Sequence, residues 1–186
     1  IASGKSTASA YLRELGAVIV DADAISRAST RRGGAAFEAV CAAFGDILGA
    51  DGEIDRRKLG GIVFADEDAR RKLNSIVHPA VMAESRAQIE NARASGVKMC
   101  ILDVPLLFET GMEKLCDETW LIYVPREEQI RRMAERDGLD AAAAAARIDS
   151  QMPLEEKLKR ADVAIDSSGT IEQTREKLRR LWEERT

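Results

Sequence analysis

No run of apolar residues approaches the ~18 that a membrane-spanning helix requires. The start of the chain has neither the basic segment nor the apolar stretch of a secretory signal, so a soluble, cytoplasmic protein is expected. Cysteine is scarce. Cys41, Cys100 and Cys116 are odd in number, far apart and in no CxxC pair, which argues against a disulfide framework and a zinc site. Neither sign of charge dominates: 28 Lys and Arg against 32 Asp and Glu give a net charge of -4. That leaves no basic footprint for nucleic acid or an anionic membrane, so any phosphate binding has to be local. Histidine is reduced to His78, and with no nucleophile or metal partner visible beside it a structural role is the simpler reading. There is no internal repeat and no low-complexity linker apart from Ala141–Ala146, which alanine's helix propensity makes helix filler.

What is present describes one globular unit with room for a small insertion: 186 residues, 45% hydrophobic and 32% charged. Ala8, Tyr11, Leu12 and Leu15 recur at helical spacing from Lys5 to Leu15, and Gly16 follows where a left-handed helix end is easiest. Ala17–Val20 then reads as a buried strand ending at Asp21. Further strands are predicted over Val97–Val104, Thr119–Val124 and Val163–Ile165, the first two stopped by Pro105 and Pro125. Helical patterns over Ala80–Ala94, Arg126–Arg136 and Ile171–Trp182 alternate with them, which predicts an α/β fold with a parallel sheet covered by helices. Between Ile25 and Gly96 there is no convincing strand, only helix-like segments such as Phe37–Phe44 and Asp66–Val77. This interval reads as a helical insertion near the carboxyl ends of the strands, where α/β sheets bind ligands.

The opening residues Ile1-Ala2-Ser3-Gly4-Lys5-Ser6-Thr7 carry the Gly-Lys-Ser end of the phosphate-loop pattern GxxxxGK[ST]. The first glycine of the pattern falls two positions before Ile1, so the chain is expected to start inside the loop, with the first strand of the sheet missing. Each residue type has a reason. Glycine permits the tight turn, and successive N–H groups at a helix start surround a phosphate. Lysine brings a mobile charge to the β- and γ-phosphates, and the Ser6 hydroxyl is suited to ligate magnesium.

Asp21 and Asp23 follow the strand after the loop helix, at the end of the sheet where the nucleotide belongs. One of them is a candidate general base, and either is equally well placed as an N-cap for the helix that starts near Ala24. Asp103, near the end of a second buried strand, is a candidate magnesium partner. Arg132 and Arg136 stand four apart on one helix face and suit a phosphate clamp, although pairing of Arg132 with Glu128 and Glu135 on a solvated face explains them as well.

Taken together, the segments IASGKST, LGAVIVDADAISR, FGDILGADGEIDRRKLGGIVF, LNSIVHPAV, DVPLLFETGM, QIRRMAERDG and ADVAIDSSGT span almost the whole chain and resemble the dephospho-coenzyme A kinases. The resemblance implies a P-loop, three-layer, nucleoside-monophosphate-kinase-like fold. Its nucleotide-binding core would be residues 1–24, 97–124 and 151–186, with a helical coenzyme A-binding insertion at 25–96 and a lid at 125–150. It implies transfer of the γ-phosphate of ATP, with Mg2+, to the ribose 3′-hydroxyl of dephospho-coenzyme A, by a monomer or weak homo-oligomer. Residue by residue, Asp23 resembles the catalytic base, and Ala2, Ser3, Gly4, Lys5, Ser6 and Thr7 the ATP loop. Arg136 and Arg132 fall in the lid, and Arg56 and His78 in substrate-side segments. Ser167 stands where such sequences usually have Asn. The competing readings are another P-loop kinase, acting on a nucleoside monophosphate or a different alcohol, and a nucleotide-binding regulatory module without transfer activity.

Overall fold

The computed structural model describes residues 1–186. In chain order its elements are α1 (Lys5–Glu14), β1 (Val18–Asp21), α2 (Ala22–Ser29), α3 (Phe37–Phe44), α4 (Arg56–Ala65), α5 (Glu67–Ala94), β2 (Cys100–Asp103), α6 (Leu107–Thr110), a 3-10 turn (Met112–Leu115), β3 (Trp120–Tyr123), α7 (Arg126–Asp137), α8 (Ala141–Asp149), α9 (Leu154–Arg160), β4 (Val163–Asp166) and α10 (Ile171–Arg185). The chain divides into two compact units, residues 1–19 with 92–186, and residues 20–91. No helix is long and apolar enough to cross a membrane.

In the larger unit, α1 buries Ala8 and Leu12, one turn apart, against Ala17, Ile165 and Leu178. Tyr11, Ile19, Ile101, Trp120, Ile122 and Trp182 pack around that cluster, so residues from all four strands share one core under α1 and α10. Gly16, at φ 108, turns the chain from α1 into β1, a conformation that only glycine adopts without strain. The expected continuous sheet is instead two strand pairs, β1 with β2 and β3 with β4. The second pair is parallel, with Trp120 opposite Val163 and Tyr123 opposite Asp166. No ladder joins the pairs; shared side-chain burial holds them in one core.

β2 and β3 are shorter than the apolar runs Val97–Val104 and Thr119–Val124 for local reasons. Gly96 takes a positive φ and the Val97 N–H donates back to the Ala92 carbonyl, so the start of the run Val97–Val104 finishes α5 and β2 begins only at Cys100. Thr119 donates its N–H and its hydroxyl to the Asp162 carboxylate, both at 2.7 Å, and gives only its carbonyl to β4, so that β3 begins at Trp120. The alanine run forms α8, capped by the Asp140 carboxylate, which accepts from the Ala143 N–H at 2.7 Å.

The smaller unit is helical. Beyond the last two residues of β1, its strand-like feature is an isolated antiparallel bridge between Leu48 and Ile54, ahead of the Asp55 cap on α4. The reading of two helices separated at His78-Pro79 is corrected: α5 runs unbroken from Glu67 to Ala94 with Pro79 inside it. Proline forfeits one helical hydrogen bond. Val77 and Val81, each 7% exposed and one turn apart across the proline, bury apolar surface that offsets the loss.

Candidate active site

The loop before α1 has the backbone of an anion site. Gly4 caps the helix in the left-handed region, at φ 87, with no side-chain cap and no acid in the first turn. The first-turn N–H groups are therefore left for an external acceptor. Ala2, at φ 56, is the one non-glycine residue of the chain with a positive φ. Such a conformation persists only where its surroundings hold it. Ser6 and Thr7 lie exposed in the first turn, and Lys5 forms an ion pair with Asp103 at the end of β2. The Asp103 side chain is 11% exposed, against 35% for Lys5.

Arg132 is also at the loop, through its contacts with backbone. Its guanidinium donates to the Ser167 carbonyl at 2.8 Å, to Glu128 at 2.7 Å and, at 3.5 Å, to the Ala2 carbonyl. The expected Glu128 pairing is thus present, whereas Glu135 pairs with Arg131 instead of Arg132. The Arg131 and Arg132 guanidiniums hold the Glu128 carboxyl down at about 2. Arg136 is exposed and paired with its neighbour Asp137 through two hydrogen bonds of 2.8 Å, which raise its pKa above the ordinary value.

The two early aspartates differ. Asp21 ends β1 and caps α2, its carboxylate accepting from the Ala24 N–H at 2.9 Å. Asp23, in the first turn of α2, is exposed and its carboxylate has no partner. In the same unit, Arg56 opens α4 and reaches the Arg27 carbonyl and the Thr30 hydroxyl, both at 3.5 Å. His78 is exposed on α5.

Of three further contributors, Gln129 and Lys157 gave no signal of their own in sequence, and Ser167 stood out only as a replacement for the usual Asn. Ser167, 5% exposed, donates its hydroxyl to the Ser3 carbonyl at 2.6 Å, with the Tyr123 carbonyl at 3.1 Å. Gln129 donates to the Ile1 carbonyl at 2.8 Å. Lys157 pairs with Glu109 at 2.9 Å in a largely enclosed position. Burial alone would raise the Glu109 carboxyl, but hydrogen bonds from Lys157 and the Met152 N–H leave it below its ordinary value. Only residue separation conceals these contacts: each partner is an unremarkable side chain far along the chain.

No group of three or more His, Cys, Asp or Glu side chains is arranged to hold a metal ion. The side-chain oxygens at the loop include the Ser6 hydroxyl and the Asp103 carboxylate, which already balances the charge of Lys5. That donor set fits magnesium, which retains several waters and takes few protein ligands beside substrate phosphates.

Comparison with known proteins bears on this arrangement. The family model described as CoaE, dephospho-CoA kinase, matches residues 1–173. A dephospho-CoA kinase of Carboxydothermus hydrogenoformans is 52% identical over 179 residues, which is 96% of this chain and 87% of that protein. One from Geobacter sulfurreducens is 44% identical over 186 residues, covering 100% of this chain and 94% of that protein. Among solved structures, the dephospho-CoA kinase from Campylobacter jejuni superposes with a TM-score of 0.76 at 31% identity, over 99% of this chain and 92% of that one. A Thermus thermophilus crystal structure superposes with a TM-score of 0.83 at 34% identity, over 100% of this chain and 94% of that one.

Proposed function

The chain belongs to the dephospho-CoA kinase family, and from that premise we propose that Ala2–Thr7 bind the phosphates of ATP while Asp23 accepts the proton of the acceptor hydroxyl. Its activity is ATP-dependent phosphotransfer to dephospho-CoA. The finer reading is direct, in-line attack of the ribose 3′-hydroxyl on the γ-phosphate. No covalent enzyme intermediate is needed, because phosphoryl transfer asks a protein mainly for positioning and electrostatic stabilisation.

The observation that carries the reading is the Lys5–Asp103 ion pair beside an uncapped helix start. Arriving phosphates would take the Lys5 ammonium from Asp103 and accept from the first-turn N–H groups, so that positive charge meets the place where negative charge accumulates. Ser6 and Asp103 are the residues that would hold magnesium. When bound, that ion neutralises charge on the phosphates. Asp23, exposed and unpartnered, is available to accept a proton, whereas the Asp21 carboxylate is engaged by the α2 backbone and is left out of the chemistry.

Residues 125–150 are proposed as the lid. Arg136, whose only partner is the adjacent Asp137, is its candidate for contacting the transferring phosphoryl group, with a planar fork suited to those oxygens. Residues 25–96 are proposed to bind the coenzyme A moiety, with Arg56 and His78 in that part of the site, on the strength of the sequence resemblance.

The test is ADP release by the full-length protein given ATP, magnesium and either dephospho-CoA or a nucleoside monophosphate. Selective turnover of dephospho-CoA is expected. Turnover only with a monophosphate would overturn the acceptor, and ATP binding with no turnover would point to a regulatory module.

A further inference from the structure

We propose that Gln129, Ser167 and Arg132, none of them in the loop, are positioning residues that set the direction of its phosphate-binding N–H groups. The inference deepens the nucleotide-site reading above and rests on it.

Each of the three side chains holds a loop carbonyl. Gln129 Nε2 donates to Ile1 at 2.8 Å, Ser167 Oγ to Ser3 at 2.6 Å, and Arg132 Nη1 to Ala2 at a longer 3.5 Å. The chain contains no cis peptide bond, and across a trans peptide the carbonyl and the following N–H point in opposite directions. Drawing the Ile1, Ala2 and Ser3 carbonyls toward α7 and the β4–α10 turn therefore directs the N–H groups of Ala2, Ser3 and Gly4 away from them. None of these three N–H groups donates within the protein. Successive free N–H groups of this kind make an anion-binding concavity.

Two further features support a built device. Ala2 sits in the left-handed region, a conformation that needs external restraint, and its carbonyl and that of Ile1 are both among those held. Arg132 is itself fixed by Glu128 and by the Ser167 carbonyl, so one network joins α7, the loop and the turn after β4. The Ser167 hydroxyl has a single proton to donate, and Ser3 is the nearer of its two carbonyls.

The experiment measures ATP affinity and both KM values for full-length S167A, S167T and Q129A. Loss of one neutral hydrogen bond corresponds to roughly three- to tenfold. S167A and Q129A are expected to weaken ATP binding and raise the KM for ATP by about that factor, leaving the KM for dephospho-CoA unchanged, while S167T, which keeps the hydroxyl, retains wild-type values. ATP affinity within about twofold of wild type in both S167A and Q129A, or equal rises in the two KM values, overturns the inference. Absence of dephospho-CoA turnover by the unaltered protein is a separate result, and it removes the nucleotide-site reading itself.

Discussion

Lys5 in the first turn of α1 and Asp103 at the end of β2, 98 positions apart in the chain, form an ion pair. The two groups are not equally enclosed, since the carboxylate is 11% exposed and the ammonium 35%. Removing one partner of such a pair therefore has unequal consequences. An Asp103 left alone is a nearly buried, uncompensated charge, whereas a lone Lys5 can turn to solvent.

Lys5→Met is expected to lower kcat by about 10²–10³, the scale of losing one preorganised electrostatic contact to the transition state. It should also lower apo-protein stability by about 1–3 kcal/mol through the stranded carboxylate. The double variant with Asp103→Asn should regain the stability and none of the turnover. Urea unfolding beside an ADP-release assay separates the two effects, and a double variant that stays as unstable as the single one sinks the argument.

Asp23→Asn should keep ATP affinity and lose about 10²–10⁴ in turnover, the usual range for a general base. Asp21→Asn should keep most of its turnover, because an asparagine still caps α2. Near-normal turnover of Asp23→Asn removes Asp23 from the base role.

Glu109 gives a prediction about pH. Its folded-state pKa lies below the ordinary 4.5 because Lys157 and the Met152 N–H favour the carboxylate more than burial opposes it. A depressed carboxyl contributes stability that is present above the unfolded value and lost as pH falls through the folded one. Glu109→Gln should therefore unfold at a lower temperature than the unaltered protein near neutral pH, by an amount equivalent to about 1 kcal/mol. In acid below the carboxylate range the two melting curves should converge; a gap of constant size across pH would exclude the ion pair as its source.

Leu178 has no exposed surface and packs with Ala8, Leu12, Ala17 and Ile165. Leu178→Ala should cost about 2–5 kcal/mol in chemical denaturation. A loss below about 1 kcal/mol would mean that the surrounding residues collapse into the space.

Much of this protein was readable from local pattern. Helical spacing located α1, α7 and α10 closely, and the Gly4-Lys5-Ser6 motif located the start of α1, which no side chain caps. Interactions over three or four residues create such signals, so adjacent residues carry them. Pro79 misled the same method. A proline does disfavour helix locally, but the valines on either side of it contribute burial that a local rule does not weigh. The strands fell where expected, β1 one residue later and β4 one residue longer than its apolar run, whereas Val97–Val104 and Thr119–Val124 were drawn too long, because apolar runs record burial and not which N–H groups enter a ladder.

By itself, then, the sequence determined the glycine-led start of α1, the alternation of helix and strand, and the acids at the strand ends, since periodicity and backbone preference act between near neighbours. Only the tertiary structure decided that Lys5 meets Asp103, that Gln129 reaches Ile1 across 128 positions, and that Ser167 reaches Ser3 across 164. A single hydrogen bond imposes no period and no composition on the chain around it. Its partners are fixed by the helices and strands that the shared apolar core brings together.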